Sequence, residues 1–228
     1  MKRYFKQILL FFYRKIWNNY IFILLVKKPI NTWILCKFVN SNTYIRDGMF
    51  WHDETNHKTE WFAEISRPYE KKFLNYIIQN TNQKDSILDI CCNQGRFIKE
   101  LHNNNYRNLF GFDIMKPAIE ILTNSREYQK GGIEVDCCLA QDYLSNSEAN
   151  YFDYAITCTA TIELMHPSFN IFKELYRVTK KGFIFALTEN KHTYPRFYRY
   201  LIKRSGFKEI KIFKLNKSIT LLHFEKII

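Results

Sequence analysis

The sequence predicts an α/β fold: a doubly wound, mostly parallel sheet of seven strands that closes on a C-terminal antiparallel hairpin, with a helical extension at the N-terminus. Three observations lead there. From residue 68 onward, short apolar runs alternate with helix-like stretches, the pattern of a parallel sheet covered by helices. The first three runs each deliver an acid to the same edge, Asp89, Asp113 and Asp142. The last two runs, 207–215 and 219–224, stand too close for a parallel crossover, which needs about a dozen residues, so they form a hairpin.

The elements follow in order. Pro68 starts a helix whose apolar positions Phe73, Leu74, Ile77 and Ile78 face a core. Ile87-Leu88-Asp89-Ile90 is the first strand, followed by a turn around Gly95 and a helix carrying Phe97, Ile98 and Leu101. A strand that feeds a helix N-terminus leaves free backbone N–H groups and a positive dipole end at the turn, which suits a polar ligand. The second strand is 109–113, and Pro117 opens the next helix. A third strand spans 133–139 and leads to Gln141-Asp142-Tyr143. The fourth spans 151–158, with a helix from about 167 to 179 after a polar turn. Lys181-Gly182 ends that helix, 183–187 is the fifth strand, and a helix near 196–204 is stopped by Gly206 before the hairpin.

Length and charge organise the rest. A chain of 228 residues holds one full core and an appendage. The net charge is +12, and nine of the 34 Lys/Arg but none of the 22 Asp/Glu lie in residues 1–46. The expected organisation is a basic, apolar and aromatic extension over 1–46, a linker or lid over 47–67, and the main domain over 68–228. Within the extension the longest charge-free run is too short to cross a bilayer, which takes roughly 18 apolar residues, and the apolar core before Arg14 is too short for a signal peptide. Phe5, Leu9, Phe12 and Ile16 share one side of a helix. Three readings compete for it: a cap on the main domain or on a second subunit, a helix resting on an anionic membrane surface, and, least favoured, a nucleic-acid contact, for which no module is present. His52, Asp53 and His57 match no ligand spacing, so no metal is expected. Six cysteines include the adjacent pairs Cys91-Cys92 and Cys137-Cys138 without any CxxC, the usage of a reduced cytoplasmic protein with buried thiols, with peripheral membrane contact as the variant.

In an open α/β sheet the ligand lies beyond the carboxyl ends of the strands at the switch in strand order. An acid two dozen residues after Asp89 suits ribose hydroxyls, and one at the third strand end suits an adenine amino group. Across 68–228 the chain resembles the class I S-adenosylmethionine-dependent methyltransferases. Asp89-Ile90-Cys91-Cys92-Asn93-Gln94-Gly95 aligns with the family loop of acid, apolar, Gly, x, Gly, x, Gly, with Cys91 and Asn93 in place of two glycines. Gly111-Phe112-Asp113-Ile114 resembles the ribose-binding loop and Ala140-Gln141-Asp142-Tyr143 the adenine-contacting loop. Phe152-Asp153-Tyr154-Ala155-Ile156 resembles the fourth strand, and Glu174-Leu175-Tyr176-Arg177-Val178 with Lys181-Gly182 the approach to the fifth. The resemblance implies S-adenosyl-L-methionine as cofactor, held by Asp89, Cys91, Asn93, Gly95, Asp113, Ile114, Gln141, Asp142 and Tyr143.

The turn after strand 4, residues 159–167, would border the methyl group. Glu163 and His166 are therefore the candidates for catalytic base or acceptor contact, against a structural role for Glu163 and a helix cap for His166. Related quinone-type O-methyltransferases carry Glu-His here, whereas this chain has Glu163-Leu164. The expected activity is methylation of a small molecule, glycan-linked and lipid-linked acceptors included. A catalytically impaired binding or interaction protein on the same fold is the alternative, motivated by Cys91 and Asn93. RNA or protein methylation ranks lowest, since no RNA module and no Asn/Asp-Pro-Pro-aromatic motif follows strand 4.

Overall fold

A computed structural model describes residue 16 and residues 19–37, 63–159 and 161–227. At the N-terminus α1 (Tyr20–Phe22) passes through a π-helical turn (Ile23–Lys27) into α2 (Lys28–Lys37). The main domain then runs α3 (Pro68–Asn80), β1 (Ile87–Ile90), α4 (Arg96–Asn103), β2 (Leu109–Asp113), α5 (Lys116–Thr123), α6 (Arg126–Gln129), β3 (Ile133–Cys137), α7 (Ala140–Asn146) and β4 (Phe152–Cys158). It continues through α8 (Ile171–Val178), β5 (Thr179–Leu187), α9 (Tyr198–Arg204), β6 (Phe207–Lys214) and β7 (Thr220–Lys226).

These strands form one sheet in the order β3-β2-β1-β4-β5-β7-β6. The β1–β2, β2–β3, β1–β4 and β4–β5 pairs are parallel, and β7 runs antiparallel to both β5 and β6. The strand order therefore reverses between β1 and β4, and both strands are buried along their length because helices cover the two faces. Phe73 and Ile77 of α3, Phe97 and Leu101 of α4 and Leu122 of α5 pack on one face. Leu144 of α7, Phe172 and Leu175 of α8, Leu201 of α9 and Leu35 of α2 pack on the other.

Three local expectations shift. The helix read from about 167 begins at Ile171, capped by the Asn170 side chain, which accepts from Lys173 N at 3.3 Å, so Pro167 sits in the preceding loop. Lys181-Gly182 belongs to β5 and stops no helix. Gly182 is required there because a Cβ would lie 2.1 Å from the Phe224 carbonyl oxygen of β7. β3 ends at Cys137, and Asp142 stands in the first turn of α7. Phe5, Leu9 and Phe12, the trio His52, Asp53 and His57, the greater part of 1–46 and residues 47–62 of the linker lie outside the described residues.

Candidate functional site

The loop after β1 takes its shape from three left-handed residues. Cys91, Asn93 and Gly95 have φ of 55°, 52° and 69°. That region normally belongs to glycine, with Asn the best-tolerated substitute. Alternate residues thus turn the chain back on itself, and Gly95 caps α4 where a Cβ would lie 2.6 Å from the Leu122 side chain. Asp113, at the end of β2, is nearly buried and ties this loop to its neighbour. Oδ2 accepts from Asn93 N and Oδ1 from Met115 N, both at 2.9 Å. The Asn93 side chain in turn accepts from Gln94 N at 2.9 Å.

A buried ion pair stands behind the loop. Arg96, the first residue of α4, reaches Glu70 Oε1 at 3.3 Å, and Glu70 Oε2 accepts from Arg67 N at 3.0 Å to cap α3. Sequence reasoning missed this pair, although Pro68 followed by Glu70 at the third helical position is an N-terminal signature. Asp89 lies beside it, and burial pushes its carboxyl up to about 8 against the attraction of Arg96, with Asp113 adding to the rise. Burial also raises the Cys91 and Cys92 thiols far above their ordinary value, so both are neutral and poor nucleophiles.

Ile114 follows Asp113 at this edge, and Gln141, Asp142 and Tyr143 enter from the first turn of α7. Gln141 is buried, and the Tyr143 ring packs 4.5 Å from that of Phe112. Asp89, Cys91, Asn93, Gly95, Asp113, Ile114, Gln141, Asp142 and Tyr143 therefore lie on, or directly after, the C-terminal ends of β1, β2 and β3. The groups at this edge suit a nucleoside carrying an amino acid: the N-terminal end of α4 for a carboxylate, the Asp113 carboxylate for ribose hydroxyls, and the Tyr143 ring for a base.

The edge after β4 and β5 is built differently. Glu163 is fully buried, and its two oxygens accept from Thr188 N at 2.7 Å and Thr161 N at 3.2 Å. Burial raises its pKa, and the Thr188 and Thr161 amides pull it back down. Its carbonyl accepts from Tyr194 N at 2.9 Å, so one residue joins the loop after β4 to the loop after β5. Arg196, also fully buried, donates from Nη2 to the carbonyls of Ile162, at 3.0 Å, and Met165. His166 Nδ1 accepts from Ser168 N at 3.2 Å and lies 2.8 Å from Ser168 Oγ, with its ring edge-on to Tyr194. An N–H donating into Nδ1 assigns the ring proton to Nε2. Beyond this edge a groove of about 740 Å³ opens between α2 and α9, with Trp33, Phe197 and Tyr200 on its walls and Lys28, Arg199 and Arg204 among them.

Residues 87–182 match the family model of a methyltransferase domain. Among solved structures, the magnesium protoporphyrin IX methyltransferase of Synechocystis PCC 6803 with bound S-adenosylmethionine aligns with a TM-score of 0.63 at 12% identity, covering 82% of this chain and 100% of that one. A protein of Pyrococcus horikoshii OT3 aligns at 0.55 and 17% identity over 71% and 92% of the two chains. The cyclase SpnF aligns at 0.54 and 14% identity over 65% and 62%. No curated protein sequence matches significantly. The family-model match and the shared Rossmann-like fold support a class I S-adenosylmethionine-dependent methyltransferase, with S-adenosylmethionine as the cofactor. Among the described residues, no helix is long and apolar enough to cross a membrane.

Proposed function

We propose that this methyltransferase acts on a small molecule, with glycan-linked and lipid-linked acceptors in range, and that its two loop edges divide the work. Cys91–Gly95 would hold the methionine end of the cofactor, Asp113 and Ile114 the ribose, and Gln141, Asp142 and Tyr143 the adenine. When bound, the cofactor supplies an already activated sulfonium methyl, so the protein chiefly aligns the acceptor atom. Residues 161–168 border that approach. Both oxygens of Glu163 hold backbone amides, which makes it a positioning residue for the two acceptor-side loops. His166 contacts the acceptor. With its proton on Nε2 it donates to an acceptor oxygen, and a base role requires that the Ser168 bond to Nδ1 be given up. The aromatic and cationic groove beside these loops supports an amphiphilic acceptor.

The observation that carries the reading is the run of left-handed residues 91, 93 and 95, tied through Asp113 to the end of β2. The cofactor loop keeps a glycine-like path although two glycines are gone. Calorimetric titration with S-adenosylmethionine tests it. Saturable heat is expected, with affinity at least about tenfold weaker in Asp113→Ala because the ribose hydroxyls lose a charged acceptor. The melting temperature without cofactor separately reports the loss of the two amide bonds. Neither heat nor thermal shift at millimolar cofactor would defeat the reading. Transfer of labelled methyl into small-molecule, glycan, lipid, RNA and protein fractions then tests the acceptor, and label confined to RNA or protein would overturn the class proposed. Cys91 and Asn93 in place of two loop glycines favour a second reading, a binding protein on the same fold without methyl transfer. Cofactor heat with no label in any fraction would select it.

A further inference from the structure

The helical segment over residues 20–37 sits on the domain the wrong way round for a helix that merely caps it. Its inward side carries Lys27, Lys28 and Thr32, all buried, together with Ile23 and Leu35. Its outward side carries Tyr20 at 62% exposure, Ile21 at 63%, Leu25 at 68% and Trp33 at 59%, with Leu24 and Ile30 also exposed. A cap normally buries its apolar side and exposes its lysines. The π-helical turn over Ile23–Lys27 contributes to the inversion: it adds a residue to that turn and brings Lys27 and Lys28 together onto the inner side.

The seating is specific. Asn31 Nδ2 donates to the Pro195 carbonyl at 2.9 Å, and Phe197 N donates to Thr32 Oγ1 at 3.2 Å. Lys28 Nζ stands 5.6 Å from the centre of the Phe197 ring, and burial lowers its pKa while nearby Glu189 raises it. Polar bonds to the loop before α9 thus fix which side of the helix faces out. Phe197 and Tyr200 extend the exposed apolar surface beyond α2. Of thirteen exposed large hydrophobic side chains among the described residues, eight belong to the segments 20–33 and 197–200. Isolated exposed hydrophobics are ordinary, but a contiguous set marks a binding surface.

Charge selects the occupant. Residues 19–37 contain no acid, and with Lys27 and Lys28 turned inward the exposed cations at this surface are Lys37, Arg199 and Arg204. Lys37 stands 4.9 Å from the Trp33 ring, Arg204 donates to Tyr200 Oη at 3.0 Å, and Arg199 lines the groove between them. Aromatic side chains with polar tips, ringed by cations around an aliphatic centre, suit the boundary between acyl chains and anionic headgroups. We infer that the outward face of α1 and α2, with its rim on α9, is a docking surface for a membrane bearing anionic phospholipids. The groove between α2 and α9 would then open at the bilayer surface. This inference goes beyond the methyl-transfer reading and needs neither cofactor nor acceptor for its test.

The test is co-sedimentation of the full chain with vesicles of phosphatidylcholine alone or with a third phosphatidylglycerol. Binding to the anionic vesicles is expected, weakened by 0.5 M salt and at least about tenfold weaker to neutral ones. Leu25→Asp should weaken it by roughly tenfold or more, and Arg199→Glu with Arg204→Glu by a similar factor. Ile121→Asp, on an exposed position of α5 across the sheet, should leave it unchanged. Melting temperatures within about 2 °C of wild type certify that these surface variants are folded. No sedimentation with anionic vesicles, or equal sedimentation of Leu25→Asp and wild type, would overturn the inference. So would light scattering that finds a dimer which Leu25→Asp converts to monomer without any vesicle binding, since the face would then belong to a second copy.

Discussion

The two edges that flank the switch in strand order solve the same positioning problem by different means. On the β1–β3 side, backbone conformation sets the shape: alternating left-handed residues, a short loop, and a single carboxylate that bridges two amides. On the β4–β5 side, long loops are held by buried charge, with Glu163 gathering the amides of Thr161 and Thr188 and Arg196 gathering the carbonyls of Ile162 and Met165. The first design serves a ligand whose shape is fixed, since short loops on strand ends move little. The second leaves loop length and sequence open to variation around a fixed anchor, as a variable acceptor on that side would require.

Glu163→Ala gives the largest expected effect and tests whether the two edges are independent. It leaves two buried amides without an acceptor, at about 1–3 kcal/mol each, so a loss of about 3 kcal/mol in urea denaturation is expected. Glu163→Gln keeps one acceptor oxygen and should lose less. Cofactor affinity should remain within about twofold of wild type, because no Glu163 bond reaches the β1–β3 loops. A parallel collapse of cofactor binding would show that the edges form one unit.

On the cofactor side, Asp89 gives an effect that depends on pH. Its folded pKa of about 8 lies above its ordinary value of 3.8, so the folded state holds the extra proton between these values. The stability linked to this proton is complete below about pH 4 and is lost as pH rises through 8. Asp89→Asn cannot ionise, so its stability relative to wild type should rise by about 3 kcal/mol between pH 6 and pH 9. Paired melting curves across that range check it. Parallel curves would mean that Asp89 is ionised at neutral pH and paired with Arg96.

The β1–β3 edge was the more legible of the two in the sequence, for a physical reason. A strand buried on both faces must be apolar almost throughout, so β1 and β2 announce themselves, and the acid at or near the end of each, although itself buried, marks the boundary with the loop that follows. Asp113 and Gly95 follow from that boundary. The left-handed turn of Cys91 does not, because nothing in a cysteine signals positive φ. The anchors of the other edge are out of reach for a different reason. Glu163 and Thr188 are 25 residues apart and meet only once β4 and β5 pair, so neither residue carries a local mark of the other. Gly182 misleads locally, since a glycine after a helix reads as a stop when its task is to admit β7. The outward-facing side of α1 and α2 was equally hidden. Periodicity finds an apolar stripe but not which way it points, and the π-helical turn alters the period itself.

The smallest expected effect sharpens the claim that backbone conformation governs the cofactor edge. At an ordinary position Gly is less stable than Ala by about 0.4–1 kcal/mol, because it enlarges the entropy of the unfolded chain. At Cys91, with φ of 55°, Ala retains a Cβ in the left-handed region and Gly does not, a difference of about 1–2 kcal/mol in the opposite sense. Both substitutions remove the same thiol, so lost packing cancels between them. Cys91→Gly should therefore be more stable than Cys91→Ala by about 0.5–1 kcal/mol, read from denaturant midpoints at equal slope. The gap between glycine and alanine measures the conformation directly, independently of any ligand. An alanine variant as stable as the glycine variant, or more so, would mean that residue 91 is not held left-handed. The cofactor edge would then owe its shape to Asp113 alone, and its contrast with the Glu163 edge would disappear.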